Sequence, residues 1–192
     1  EEPLTQVENR DGNLSIVDNG CGMSQKVFID HFSTLFNSTH GADQLGNDPN
    51  KGIGAKISAL HHSDLLIESF TKTEAWRAEM LKREEDGLYC MRIYEKSEGS
   101  SRFKDLTEEE IKEIFIEGSS SGCRVTLLGR GESQGRTWTL LDKECKTNDD
   151  ALNSRFIGSG LGLNKYLNHR FNDDPRTTKV EYIKDNKHSQ YF

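Results

Sequence analysis

The sequence predicts an α+β fold: a two-layer sandwich with helices on one face of a mixed, mainly antiparallel sheet. The middle of the chain is a series of strand-length segments with partial alternation, separated by short polar breaks, as in an antiparallel meander. Segments with apolar residues at helical spacing lie on both sides of this region. The length of 192 residues allows one domain with a sizeable core, or one domain with an appendage.

The first predicted elements are a strand and a helix joined by a glycine-rich turn. The segment LSIVD ends at Asp18, and NGCGM follows it. Ser24 can cap a helix over residues 25–36, where apolar side chains recur at helical spacing. Residues 37–54 then lack periodicity, and a loop of this length inside a compact domain is usually a lid or a binding loop. A second helical pattern, GAKISALHH, follows the loop.

The remaining predicted elements are mainly strands. DLLIESFTK, AWRAEML, GLYCMRIYEK and CRVTLLG have the length and composition of strands, and TKVEYIKD is expected to form the final one. Thr107 and Glu110 predict a capping box before the helical segment EEIKEIF. GLGLNKYLNHRF is expected to be a further helix. This order favours helices packed against an antiparallel sheet.

Composition narrows the classes of function. The net charge is -7, which argues against a general DNA-binding face. No apolar run approaches the roughly 20 residues of a membrane span, and the opening EEPLTQ does not resemble a signal peptide. The four cysteines lie far apart and form no CxxC pair, which favours reduced thiols over a zinc site. We therefore expect a cytoplasmic or nuclear protein with no membrane partner.

The first candidate site is the turn after the first strand. Asp18 ends an apolar run, Gly20 and Gly22 follow at alternate positions, and Met23 closes the segment. A buried carboxylate can accept a hydrogen bond from an exocyclic amine, and it discriminates well because an unpaired buried acceptor costs about 1–3 kcal/mol. The glycines permit positive φ and close approach of the backbone to a flat ligand. A surface hairpin turn is the alternative, since Asn-Gly is a common turn sequence.

Two further glycine-containing segments accompany this turn. In NKGIGAK, Gly52 and Gly54 would open a helix whose first N–H groups can bind phosphate, and Lys56 adds a positive charge. GCRVTLL places a glycine before a buried-type strand. A rival segment, GSGLGL at residues 158–163, lies far from Asp18 along the chain with no strand leading into it. We interpret the rival as an ordinary helix start.

Together, the three segments resemble the ATP-binding boxes of the GHKL ATPase superfamily, which comprises gyrase, a heat-shock chaperone, histidine kinases and MutL. VDNGCGM matches the D-x-G-x-G box, KGIGAKISAL the second glycine box of the ATP lid, and GCRVTLL the third box. The second box is most similar to that of MORC- and MutL-like members. The resemblance covers roughly residues 5–130, and it implies a Bergerat-type sandwich that binds ATP with Mg²⁺.

The resemblance also implies which residues surround the base. By position, Asp18 would bind the adenine amine, and Gly20, Gly22 and Met23 would form the adenine side of the pocket. Cys123 stands in the third box where a threonine usually helps to hold a water molecule beside adenine. A thiol is a poorer hydrogen-bonding group than a hydroxyl, so this water network is expected to differ.

On the phosphate side, the resemblance implies contacts with backbone N–H groups of the second box, with Lys56 close by. The residues that would supply these groups are Gly52, Ile53, Gly54 and Ala55. Ser38 and Thr39 match the S-T-K segment of the family, in which His40 here replaces the lysine.

The first box of the family has no counterpart in this sequence. In the family it lies on a helix before the D-x-G-x-G strand, and supplies a Glu that activates water and an Asn that binds Mg²⁺. The 17 residues before Asp18 read as a strand with a turn, and Glu8 and Asn9 are wrongly spaced for these roles. No candidate exists for the family's transducer lysine. We therefore expect the chain as given to bind ATP without hydrolysing it.

The sequence thus predicts an ATP-binding core over residues 1–130, with residues 131–192 as an extension of the same domain. In the intact protein, the resemblance implies ATP hydrolysis coupled to lid closure and to formation of a homodimer; other domains could also bring nucleic acid as a partner. Two alternatives stay open. One is a kinase domain of the histidine-kinase or anti-sigma type, and the other is a non-enzymatic interaction module that has lost ATP binding.

Overall fold

The computed structural model describes residues 2–10, 13–32, 64–83, 85–86, 89–96, 99–128, 179–184 and 187–191. Its strands are β1 (Leu4–Arg10), β2 (Asn13–Asp18), β3 (Asp64–Phe70), β4 (Ala75–Lys82), β5 (Tyr89–Met91), β6 (Tyr94–Lys96), β7 (Gly99–Ser101), β8 (Lys104–Asp105), β9 (Gly122–Leu128), β10 (Lys179–Lys184) and β11 (Lys187–Tyr191). Its helices are α1 (Gln25–Val27), which continues into a π-helical turn (Phe28–Phe32), and α2 (Glu108–Ile114).

One large sheet dominates the described part of the chain. Its nine strands follow the order β11-β10-β1-β2-β9-β3-β4-β5, with β8 also paired to β4, while β6 and β7 form a separate hairpin. Every pairing in the large sheet is antiparallel except that of β1 with β10. The α+β class with a mixed, mainly antiparallel sheet is therefore confirmed.

The two faces of this sheet differ in character. Side chains alternate between faces along a strand, and directly paired residues share a face. Ile67 and Asp18 lie on what we call the front face, and Glu8, Glu68 and Arg124 lie on the rear face. The front face carries the larger apolar core, whereas the rear face carries several buried polar side chains.

An aromatic cluster fixes α1 and the π-helical turn to the front face. The rings of Phe28, Trp76 and Phe103 contact one another edge to face, with centroids 5.1–5.8 Å apart. The other buried members of this cluster are Leu65, Ile67 and Ala78. Edge-to-face aromatic pairs stabilise beyond the area they bury, by about 0.5–1.5 kcal/mol each.

A second apolar cluster joins α2 to the rear face, so the described helices lie on both faces of the sheet and not on one face as expected. The ring of Phe70, which follows Ser69 and so points to the opposite face, stacks in a tilted arrangement on Phe115 with centroids 4.4 Å apart. The predicted capping box begins this helix: Thr107 accepts a hydrogen bond from the amide of Glu110, whose carboxylate accepts one from the Thr107 amide. The cap satisfies N–H groups that the first helical turn leaves without partners.

Several predicted elements are present with changed boundaries. Ser24 caps α1 through a bond from the Val27 amide to its Oγ (3.1 Å), but the α-helix changes into the π-helical turn at Phe28. Residues 33–36 of the predicted helix lie outside the described residues. The segment GLYCMRIYEK divides into β5 and β6, because β6 pairs with β7 away from the large sheet. The predicted final strand corresponds to β10, and β11 follows it.

Candidate functional site

The candidate site begins where β2 ends on the front face. Asp18 is the last residue of β2, and its backbone pairs with Cys123 of β9 on one side and with Thr5 of β1 on the other. Ser69 of β3 pairs with Cys123, and Trp76 of β4 pairs with Ser69. These five residues therefore form one row across five neighbouring strands, with all side chains on the same face.

The carboxylate of Asp18 is partly buried and held by backbone amides. Its Oδ1 accepts a hydrogen bond from the amide of Gly20 at 2.9 Å. Burial raises the pKa of Asp18 above its ordinary value, while the backbone N–H groups of Gly20 and Cys123 act in the opposite direction. Desolvation of this kind strengthens any hydrogen bond that the carboxylate accepts from a ligand.

The thiol of Cys123 is a direct cross-strand neighbour of Asp18 in this row. Burial raises its pKa, and the negative charge of Asp18 raises it further. The thiol is therefore neutral at neutral pH and offers only a weak donor and a weak acceptor.

The two glycines after Asp18 occupy positions where a side chain would collide. A Cβ on Gly20 would lie 2.8 Å from Oδ1 of Asp18. Gly22 has a φ of +68°, and a Cβ there would lie 2.3 Å from the carbonyl oxygen of Phe70. The backbone of the turn thus packs directly against β3. Glycine suits this position because it allows both the close approach and the left-handed conformation. The turn leads into α1 and not into a hairpin partner of β2.

Three side chains that the sequence reasoning missed hold this turn on the sheet. The amide of Met23 donates to Oγ of Ser69 (2.7 Å), and the indole Nε1 of Trp76 donates to the carbonyl of Met23 (2.9 Å). The hydroxyl of Ser121 donates to the carbonyl of Gly20 (2.7 Å). The only sequence clue was a serine within the apolar run of β3, because a buried polar residue needs a partner.

The structure thus brings together the base side of the predicted site. Asp18, Gly20, Gly22, Met23 and Cys123 lie around the end of β2 and the beginning of β9. The predicted phosphate-side residues lie outside the described residues; they are Ser38, Thr39, Gly52, Ile53, Gly54, Ala55 and Lys56. The rival GSGLGL segment also lies outside them.

Two features are absent from the described residues: a metal-binding cluster and a membrane-spanning helix. These residues contain no group of three or more His, Cys, Asp or Glu side chains arranged to hold a metal ion. Within the same part of the chain, no helix has the length and apolar character needed to cross a membrane.

Comparisons with known proteins give similarity only at the level of three-dimensional structure. No family model and no curated protein matches the sequence. The topoisomerase IV ATP-binding domain of Francisella tularensis, solved with a small-molecule inhibitor, is similar with a TM-score of 0.48 and 11% identity, over 99% of this chain and 43% of that one. The ATPase and transducer domains of DNA topoisomerase II from Balamuthia mandrillaris give 0.41 and 15%, over 69% and 33%. The chain spans less than half of either structure.

Proposed function

We propose that this chain is an ATP-binding domain of the GHKL type. The observation that carries the proposal is the Asp18 carboxylate, partly buried at the end of a central strand and followed by a turn in which Gly22 is left-handed and packed directly against β3. A desolvated acceptor at a fixed position suits the exocyclic amine of adenine. Residues 52–56 would hold the phosphates; this assignment rests on their sequence alone.

The base side of the site fits an adenine nucleotide. Oδ1 of Asp18 is already bonded to the Gly20 amide, which orients the carboxylate. Gly22 and Met23 lie beside it with backbone positions fixed by β3 and β4. When bound, ATP with Mg²⁺ would supply the γ-phosphoryl group for transfer to water in the intact protein, and the residues of this chain would bind and orient the base.

The remainder of the proposal concerns the intact protein. ATP hydrolysis would be coupled to lid closure and to homodimerisation, as the boxes imply. Residues 1–130 would form the nucleotide-binding core, and residues 131–192 would extend the same domain. The pairing of β10 with β1 supports the assignment of both ranges to one domain, because β10 belongs to the same sheet as the core strands.

The proposal is tested by changing the hydrogen-bonding character of residue 18. Asp18→Asn should weaken ATP binding by about 5- to 150-fold, the equivalent of about 1–3 kcal/mol for a mispaired buried group. Inosine triphosphate, which carries a 6-oxo acceptor in place of the amine, should bind the parent poorly and the Asn variant better, because an amide can donate to it. Calorimetric titration of both nucleotides measures this exchange of preference.

A control and the pH dependence sharpen this test. Asp86→Asn removes a carboxylate in the turn between β4 and β5, where it pairs with Arg83 far from Asp18, and should leave both affinities unchanged. In the parent, ATP affinity should fall as the pH decreases through the pKa of Asp18, which lies above its ordinary 3.8. Equal ATP affinity in parent and Asp18→Asn, with no change in base preference, would refute the assignment.

A further inference from the structure

We propose that Ser69 is a positioning residue that sets the geometry of the base pocket without touching the nucleotide. This inference rests on the proposed function, since it concerns the same site. Its basis is a hydroxyl that joins the turn after β2 to the beginning of β9.

The hydroxyl of Ser69 uses both of its hydrogen-bonding capacities within the protein. Its side chain is completely buried, with 0% exposure. Oγ accepts from the amide of Met23 at 2.7 Å and donates to the carbonyl of Gly122 at 3.2 Å. One side chain of β3 therefore connects the two segments that carry the base-side residues of the site.

The turn after β2 and the beginning of β9 approach each other closely beside Ser69. A Cβ on Gly22 would lie 3.1 Å from the carbonyl oxygen of Gly122, and a Cβ on Gly122 would lie 2.4 Å from the carbonyl oxygen of Asp18. Backbone is thus packed on backbone, with no side chain of Gly22 or Gly122 between the segments. A hydroxyl with two fixed partners can hold the spacing between them, whereas a methyl group cannot.

The position of Ser69 in the cross-strand row explains why its replacement should alter the part of the pocket that binds the base. Ser69 pairs with Cys123, and Cys123 pairs with Asp18. Trp76, on the other side of Ser69, holds the carbonyl of Met23 while Ser69 holds its amide. Both polar groups of this peptide segment are therefore fixed before any ligand binds, which reduces the ordering cost of binding.

The test compares two buried serines on opposite faces of the sheet. Ser69→Ala removes the link to the turn. Ser15→Ala removes an equally buried hydroxyl, 2.8 Å from Oγ1 of Thr126 on the rear face. We expect both variants to unfold at lower urea concentration, but only Ser69→Ala to bind ATP about tenfold more weakly, the effect of losing one hydrogen bond. Ser69→Thr, which keeps the hydroxyl, should bind within about threefold of the parent on the same scale.

Hydrogen exchange at the Met23 amide gives a readout that needs no nucleotide. Ser69→Ala should exchange this proton faster than the parent, and Ser15→Ala should not. If Ser69→Ala does not fold, Ser69→Cys replaces it, because the thiol has similar shape but bonds weakly.

The possible outcomes separate the two proposals. ATP binding by Ser69→Ala that equals that of the parent, or that falls equally in Ser15→Ala, overturns the positioning role and leaves the ATP-binding proposal intact. A parent protein that binds no ATP at millimolar concentration overturns both. Unchanged exchange at Met23 in a folded Ser69→Ala also overturns the positioning role.

Discussion

At the scale of single residues, two glycines share a left-handed backbone but differ in the space that a side chain would have. They therefore distinguish the energetic cost of backbone strain from that of a steric clash. Gly22 has a φ of +68° and Gly118 a φ of +81°. A Cβ on Gly118 would meet no atom within 4 Å, whereas a Cβ on Gly22 would lie 2.3 Å from the carbonyl oxygen of Phe70. Gly118 is therefore required only by conformation, and Gly22 also by packing.

This contrast predicts unequal losses of stability when each glycine is replaced. Gly118→Ala should lower the free energy of unfolding by about 1–2 kcal/mol, the cost of the left-handed conformation for an L-residue. Gly22→Ala should lower it by about 2–5 kcal/mol, because displacement of β3 backbone is added to the same strain. Urea unfolding of both variants measures the difference. Equal losses would show that the turn can move away from β3.

Single residues of the site also differ in whether a sequence pattern can predict them. Asp18, Gly20 and Gly22 were predicted together because their spacing along the chain is itself the pattern. Ser69 and Trp76 were not, because their bonds to Met23 join residues 46 and 53 positions apart. Such bonds depend on the order and register of β3 and β4, which no local pattern contains.

At the scale of elements, buried charges on the rear face link the strands of the sheet. Glu68 accepts from Nε of Arg77 at 2.7 Å, and Arg124 contacts Glu8 at 2.9 Å. Arg124 also donates to Oγ of Ser15 and to the carbonyl at the end of α2, each at 3.2 Å. The side chains of Glu8 and Glu68 are only 8% and 2% exposed, so these pairs are shielded from solvent. They connect five adjacent strands and α2.

Removing one partner of this network should cost far more than removing a surface pair. Arg124→Met should lower the free energy of unfolding by about 3–5 kcal/mol, because it leaves the buried carboxylate of Glu8 without its guanidinium. Lys26→Met breaks a pair with Asp30 in which Lys26 is 83% exposed, and it should change stability by no more than about 0.5 kcal/mol. Urea unfolding at equal ionic strength compares them. A loss in Arg124→Met as small as that in Lys26→Met would mean that water replaces the guanidinium.

Elements with strong local patterns were predicted well. The strands β3 and β9 follow from apolar runs between turn residues, and α2 follows from its Thr107 capping box. The helix after Ser24 was predicted as regular, but it changes to π-helical at Phe28, whose ring contacts Trp76 and Phe103. Phe28 thus contacts residues distant in sequence, and helical periodicity contains no information about such contacts.

At the scale of the whole molecule, the end of the chain lies next to its beginning. β10 runs parallel to β1, in a register from Leu4 opposite Lys179 to Asn9 opposite Lys184. Nε2 of Gln6 donates to Glu181 at 2.8 Å. A final strand was predicted from its composition, but a parallel partner about 175 residues earlier was not, because strand composition does not specify the neighbour.

From this arrangement we expect β10 to belong to the same cooperative unit as the candidate site. Ile183 of β10 is 2% exposed, so Ile183→Ala leaves a cavity and should lower the free energy of unfolding by about 2–5 kcal/mol. Ile93→Ala is the matched control, because Ile93 is 64% exposed and should contribute no more than about 0.5 kcal/mol.

The unfolding of Ile183→Ala is most informative when it is followed with a fluorescent residue far from position 183. Trp76 lies in β4, and β1, β2, β9 and β3 separate it from β10. In a Trp138→Phe background, Trp76 is the only tryptophan, so its fluorescence reports unfolding around the aromatic cluster. If residues 131–192 extend one domain, Ile183→Ala must move the Trp76 transition to lower urea by the full loss of stability, since a two-state unit unfolds as a whole. A Trp76 transition that Ile183→Ala leaves in place would assign the end of the chain to a separate unit.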